Sequence, residues 1–388
     1  MLLVILFLSS LSIVTSVYAA CPQFELPWKN TTYSSTKLPN PFKFKSGENV
    51  TSKADWKCRR AEISALLQQI ELGDLPPKPS VLNASITGNT LLVRVEENGR
   101  QISFTASFKL PTNATGPFPV VIALGGASIP LNGTGPLAQM VYNNDQIAQQ
   151  STSTSRGHGG FYTLYGSNHS AGALIAWTWG LSRIIDALEL LGPEVTKIDT
   201  KRIAITGCSR NGKGTLAIGA FEERISLTIP QEAGVGAAAI WRMYNDSICR
   251  RNCIPSEPPW VANVWFRQSF PPADFTTLPY DNHELVGMVA PRGLYIIEND
   301  IDWSQPAASV VGAKAGKMIY EALGVTDKMG FSLKGGHAHC SFPSPQYEEL
   351  NAFLDKFLFG KETNTDIWKT DINADTNNYI DWKTPVLE

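Results

Sequence analysis

Histidine is scarce in this chain: five residues, His158, His169, His283, His337 and His339, among 388. Chemistry that needs an imidazole has few places from which to draw one. An excess of charge of one sign is also missing. Lys and Arg number 33 against 35 Asp and Glu, a formal net charge of −2, and no long basic run occurs, so a nucleic-acid partner is not expected. Metal-ligand spacing is lacking as well: neither Cys249-Arg250-Arg251-Asn252-Cys253 nor the other Cys and His residues make a zinc pattern, so no metal and no cofactor are expected. Beyond the opening segment, no apolar run approaches the ~20 residues that span a bilayer. No long linker, low-complexity tract or internal repeat divides the chain.

What is present begins with Met1-Leu2-Leu3-Val4-Ile5-Leu6-Phe7-Leu8, an apolar stretch that runs to Tyr18-Ala19-Ala20. It reads as a secretory signal over residues 1–20, followed by one catalytic domain over 21–388. Asn-x-Ser/Thr acceptors at Asn30, Asn49, Asn83, Asn113, Asn132, Asn168 and Asn245 fit a secreted glycoprotein. The cysteines Cys21, Cys58, Cys208, Cys249, Cys253 and Cys340 are even in number, and an oxidising compartment would pair them. Spacing alone does not choose the pairing.

Leu91–Val95 and Ile102–Phe108 alternate apolar with polar residues around Asn98-Gly99, which predicts a hairpin. A helix is expected over 54–72, within an otherwise irregular N-terminal layer. After Pro117-Phe118-Pro119 the pattern changes to short, continuously apolar strands at 120–124, 203–206, 226–230, 293–297 and 330–333, separated by helical stretches such as 171–191. Fully apolar strands suit a parallel sheet covered on both faces. The expected fold is α/β, a three-layer α/β-hydrolase sandwich with a mostly parallel sheet led by an antiparallel hairpin.

Within it, Thr206-Gly207-Cys208-Ser209-Arg210-Asn211-Gly212-Lys213-Gly214 joins a strand to a helix. A nucleophile elbow needs such glycines, because strand and helix approach too closely for a Cβ. The usual Gly-x-Ser-x-Gly is modified, with glycine at the third position after Ser209. A serine nucleophile requires a histidine base and an acid to orient it. The last predicted strand precedes Gly335-Gly336-His337-Ala338-His339-Cys340, where such a base belongs. Were Cys340 bridged to Cys208, His339 would be pinned beside Ser209; His339 is therefore the favoured base, with His337 behind it or against substrate. For the acid, position leaves Glu232 on one strand end and Glu298, Asp300 or Asp302 after the next. Arg210 follows Ser209 and offers its N–H, and its guanidinium, to an oxyanion. Lys213 lies one turn further along the same helix and would meet a hydroxylated substrate.

GCSRNGKG over 207–214 resembles the signature of the glucuronoyl esterases, carbohydrate esterase family fifteen. Tyr165–Ala173, Gln231–Gly234, Asn299–Trp303 and Gly336–Pro343 are similar to further stretches of that family, so the resemblance covers essentially the whole chain after the leader. It implies a triad of Ser209, Glu232 and His339, with Arg210 at the oxyanion, Lys213 on sugar hydroxyls and Trp303 lining the uronate pocket. It further implies disulfides Cys208–Cys340 and Cys21–Cys58. The implied reaction is hydrolysis of the ester between 4-O-methyl-D-glucuronic acid on xylan and a lignin alcohol, by a monomer with no membrane or nucleic-acid partner. This chain departs from the family where fungal relatives carry a cysteine before Trp241, here Ile240, leaving Cys249 to pair with Cys253. The family's sugar-binding Gln and Glu correspond to Ile254 and Ala262, with Glu257 as a substitute contact. The rival readings are an acetyl or feruloyl xylan esterase using the same triad, and a non-catalytic glycan-binding homologue.

Overall fold

The structure, a computed structural model, describes residues 21, 33–133, 135–244, 260–270 and 272–388. The leader, Cys249, Cys253, Ile254, Glu257 and the acceptors Asn30 and Asn245 lie outside the described residues, as does the side chain of Ala262.

The predicted hairpin forms from β2 (Thr90–Glu97) and β3 (Arg100–Lys109), paired antiparallel with Leu92 opposite Thr105. Its turn residues Asn98 and Gly99 have φ of 50° and 73°, the left-handed pair that matches the twist of a tight hairpin. An unpredicted strand, β1 (Val81–Thr87), extends the antiparallel part. The apolar runs become β4 (Phe118–Leu124), β6 (Ile198–Cys208), β7 (Leu227–Gln231), β8 (Gly293–Glu298) and β9 (Met329–Leu333). Two further strands were not expected: β5 (Ala138–Tyr142), and the two-residue β10 (Trp368–Lys369). β5 pairs antiparallel with β3 and parallel with β4, so it welds the two halves together. Among the described residues the sheet order is β1-β2-β3-β5-β4-β6-β7-β8-β9-β10.

Alternate residues of the parallel strands enter two separate cores, as the strand period requires. Ile122, Ile203, Ile205, Leu294 and Ile296 point to the face covered by α2 (Ala173–Leu191), α3 (Arg210–Phe221) and α4 (Pro306–Ala322). Val121, Ala204, Tyr295 and Ile297 point to the opposite face, against Leu350, Phe353, Leu354 and Leu358 of α5 (Tyr347–Phe359). The three layers follow from this division.

In the N-terminal layer α1 (Lys53–Leu67) starts at Ser52, whose side chain accepts from Asp55 N while the Asp55 carboxylate accepts from Ser52 N. The helix predicted to Leu72 continues over Gln68–Leu72 in the wider π form. Cys21 is bonded to Cys58 of α1, with Cα atoms 5.3 Å apart. The implied departure at Ile240 is filled by packing: the side chain is buried and meets α4 near Gly312.

Register fixes where the strands deliver their last residues. Cys208 of β6 faces Gln231 of β7, Gln231 faces Ile297 of β8, and Glu298 faces Leu333 of β9. Ser209, Glu232 and Lys334 therefore leave the sheet along one C-terminal edge. Backbone bonds continue one step past the ladder, from Ser209 N to Gln231 O (2.9 Å) and from Glu232 N to Ile297 O (2.7 Å).

Candidate active site

Ser209 stands at the sharp junction of β6 and α3 with φ 59° and ψ −125°, a conformation strained for any residue with a Cβ. The neighbouring glycines explain how the junction closes. A Cβ on Gly207 would come within 2.8 Å of Asn211 O, and one on Gly212 within 2.6 Å of Gln231 O. The Arg210 N–H opens the first turn of α3, where backbone donors have no intrahelical acceptor.

Glu232 is 2% exposed and itself left-handed, with φ 45°. Its Oε2 accepts from His339 Nδ1 at 2.8 Å, Cys340 N at 3.0 Å and Asn299 Nδ2 at 3.2 Å. Burial pushes the Glu232 carboxyl up, but those three donors outweigh it and hold it below the ordinary carboxylate value. It is a carboxylate at neutral pH, facing the imidazole N–H it would stabilise as a cation.

His339 is brought to the elbow by the Cys208–Cys340 disulfide, which spans 132 residues of sequence with Cα atoms 5.8 Å apart. A ring nitrogen of His339 lies within 4.8 Å of the Cys208 sulfur. Nε2 is buried and has no hydrogen-bond partner among the described residues. Trp303 packs edge-to-face on the imidazole, with ring centroids 4.7 Å apart. Cys208, His339 and Cys340 are also the described Cys, His and acidic groups that lie close enough to share an ion. With the two sulfurs bonded to each other, no thiolate is available there for one.

The remaining histidines are engaged elsewhere. His283 is fully buried with Nε2 2.9 Å from Pro39 O, His169 Nδ1 accepts from Ala171 N at 3.1 Å, and His158 is exposed. His337 sits behind the site: Nε2 meets Lys334 O at 2.6 Å, and Nδ1 is 3.9 Å from Glu232 Oε1. The other acid positions do not reach His339. Asp300 accepts from Gly336 N at 3.2 Å, Asp302 begins a short 3-10 turn, and Glu298 Oε1 accepts from Gly234 N at 3.1 Å.

Arg210 and Lys213 share an aromatic platform. The guanidinium carbon lies 5.8 Å, and the ammonium 5.5 Å, from the ring centroid of Trp265. Gln150 Oε1 accepts from Trp265 Nε1 at 3.3 Å and from Arg210 Nη1 at 3.5 Å, so one amide aligns both. Lys213 is 8% exposed and donates to Ala233 O, tying α3 to the turn after Glu232. Sequence reasoning missed Gln150, Trp265 and Asn299. Asn299 was within reach, because it follows the strand on which an acid was sought; Gln150 carries no such signal.

The geometry, an acid-imidazole pair beside a strained serine and two cations, suits acyl transfer. Comparisons with known proteins agree. A model of the family described as glucuronyl esterase, fungi, matches residues 93–324. The 4-O-methyl-glucuronoyl methylesterase of Hypocrea jecorina is 46% identical over 370 residues, covering 93% of this chain and 78% of that protein. A crystal structure of the glucuronoyl esterase from Sporotrichum thermophile superposes with a TM-score of 0.88 at 44% identity, covering 93% of this chain and 99% of that one. A serine-to-alanine mutant of the Sporotrichum thermophile enzyme, in complex with methyl 4-O-methyl-β-D-glucopyranuronate, matches with a TM-score of 0.83 at 45% identity, covering 88% of this chain and 93% of that one. With a family model over more than half of its length and close identity over nearly all of it, the chain belongs to the fungal glucuronyl esterase family.

Proposed function

We propose that this chain is a secreted serine esterase that hydrolyses the ester between 4-O-methyl-D-glucuronic acid side chains of glucuronoxylan and lignin alcohols, the lignin alcohol being the physiological leaving group. The 2.8 Å bond between His339 Nδ1 and Glu232 Oε2 carries the reading, because it turns Nε2 of the same ring toward base chemistry. His339 Nε2 takes the proton of Ser209 as its oxygen attacks the uronate carbonyl. The Arg210 N–H, reinforced by its guanidinium, stabilises the oxyanion. On collapse, His339 protonates the departing alcohol and leaves a glucuronoyl-serine ester. Water, deprotonated by the same nitrogen, then releases the acid and restores Ser209. Glu232 stays ionised throughout and stabilises the imidazolium.

Lys213 and Trp303 are the proposed contacts to the sugar, with Glu257 a third. Family membership and the ligand of the Sporotrichum thermophile complex support a uronate in that place. Secretion is supported by the two disulfides and by the exposure of Asn49, Asn83, Asn113, Asn132 and Asn168, each open to a glycan. Among the described residues no helix is long and apolar enough to cross a membrane. We further read residues 21–388 as one catalytic domain, acting as a monomer. Incubation with the methyl ester of 4-O-methyl-glucuronate, beside acetylated and feruloylated xylan, tests the reading. Acid release from the first is expected; release from the acetyl or feruloyl substrate alone would assign the triad to another acyl group.

A further inference from the structure

We propose that Glu298 is a positioning residue for the reaction, holding the Glu232-Ala233-Gly234 turn so that the Glu232 carboxylate meets His339. The proposal rests on the esterase reading above. Strand register puts Gln231 opposite Ile297, so the next residues on the two strands, Glu232 and Glu298, are neighbouring carboxyls on one sheet edge. Only one of them reaches the imidazole. Glu298 is 0% exposed, and its Oε1 accepts from Gly234 N at 3.1 Å and from Ser309 Oγ of α4 at 3.4 Å. No cation forms an ion pair with it among the described residues.

The turn it grips needs gripping. Glu232 and Gly234 have φ of 45° and 53°, and a left-handed residue with a Cβ costs on the order of 1 kcal/mol or more. Besides the bonds that Gly234 O accepts from Ala237 N and Ala239 N, the turn is tied to its neighbours by Glu232 N to Ile297 O, Ala233 O to Lys213 Nζ, and Gly234 N to Glu298 Oε1. Gly234 is buried, so without Glu298 its N–H would lack an acceptor, a fault that relaxes by moving the turn. Movement of Glu232 is movement of His339.

The two carboxyls are driven apart in character. Burial pushes Glu298 up to about 8; the Gly234 N–H and Lys213 oppose this, while the charge of Glu232 adds to it. At neutral pH a neutral Glu298 therefore supports an ionised Glu232 and does not compete for the imidazolium. The groups facing it are Glu232 and Gly234 after β7, Lys213 on α3 and Ser309 on α4.

Steady-state hydrolysis of methyl 4-O-methyl-glucuronate by wild type, Glu298→Gln and Glu298→Leu tests this. Glutamine keeps the acceptor and the neutral charge, so kcat within about threefold of wild type is expected. Leucine keeps the volume and loses the acceptor, so kcat should fall about tenfold or more, with KM within about twofold and cooperative melting retained. A leucine variant with undiminished kcat, or a glutamine variant as impaired as leucine, overturns the proposal while the esterase reading stands. An inactive wild type overturns both. Should the leucine variant not melt cooperatively, Glu298→Met, which also lacks the acceptor, decides by the same criteria: a folded methionine variant with undiminished kcat overturns the proposal, and one with kcat about tenfold down and KM within about twofold supports it.

Discussion

Cys208 and Cys340 are bonded to each other, and each is the chain neighbour of a residue in the site: Cys208 precedes Ser209, and Cys340 follows His339. The bridge crosses from the elbow to the loop after β9. Replacing both cysteines with alanine should therefore do two things. The melting temperature should drop, by an amount equivalent to roughly 2–5 kcal/mol for a native bridge. At a temperature where the variant is folded, kcat should also fall, because the loop that carries His339 is no longer tied to the serine. Calorimetry paired with kinetics separates the two effects; full kcat in the folded variant would show that Glu232 alone orients the ring.

Ser209→Ala removes the attacking oxygen without touching either core. Turnover of the methyl uronate should fall by at least about a thousandfold. The melting temperature should stay at or above that of wild type, since alanine loses nothing that the fold uses. Near-normal turnover would place the nucleophile elsewhere.

The acid assignment makes a ranking. Glu232→Ala should lower kcat by on the order of a hundredfold or more, because His339 loses the partner that fixes its tautomer. Asp300→Ala and Asp302→Ala, which do not touch the imidazole, should change kcat by about threefold or less. Purified variants assayed side by side give the order directly, and a reversed order would move the acid to the loop after β8.

Acid should unfold the protein partly through Glu222. Burial raises its carboxyl, but hydrogen bonds from Arg224 and Ser182 and the Arg224 charge override that and bring it down to about 2, against an ordinary 4.5. A depressed carboxyl stabilises the fold above its unfolded value and loses that contribution as pH falls through the folded one. The stabilisation, roughly 3 kcal/mol, is thus complete at neutral pH and fades between 4.5 and about 2. Arg224→Ala should melt well below wild type at neutral pH, and the two melting curves should converge toward pH of about 2.

The parallel strands were legible because β4, β8 and residues 203–207 of β6 are buried on both faces, which leaves no polar alternation to blur them. β1 was not: its exposure alternates between outer and half-covered residues, so Val81–Thr87 has no apolar face strong enough to mark it. β5 is five residues among glycine, asparagine and proline, and becomes a strand because β3 and β4 both offer it partners. In the site, the small residues around Ser209 and the rarity of histidine narrowed the search to the elbow and the His337/His339 loop. Position alone left the acid open, with the family resemblance pointing to Glu232, because Glu232 and Glu298 are adjacent across two strands and only hydrogen bonding separates them. The Trp265 platform and Gln150 could not be read, since they join segments more than a hundred residues apart.

Of the six described residues other than glycine with positive φ, Ser209, Glu232 and Cys340 all belong to the catalytic edge. A variant library screened for heat tolerance alone would tend to accept changes that let these three relax. Its survivors would be sturdier and slower, so selection on such a scaffold has to score turnover in every round and seek its gains in the outer strands and helices.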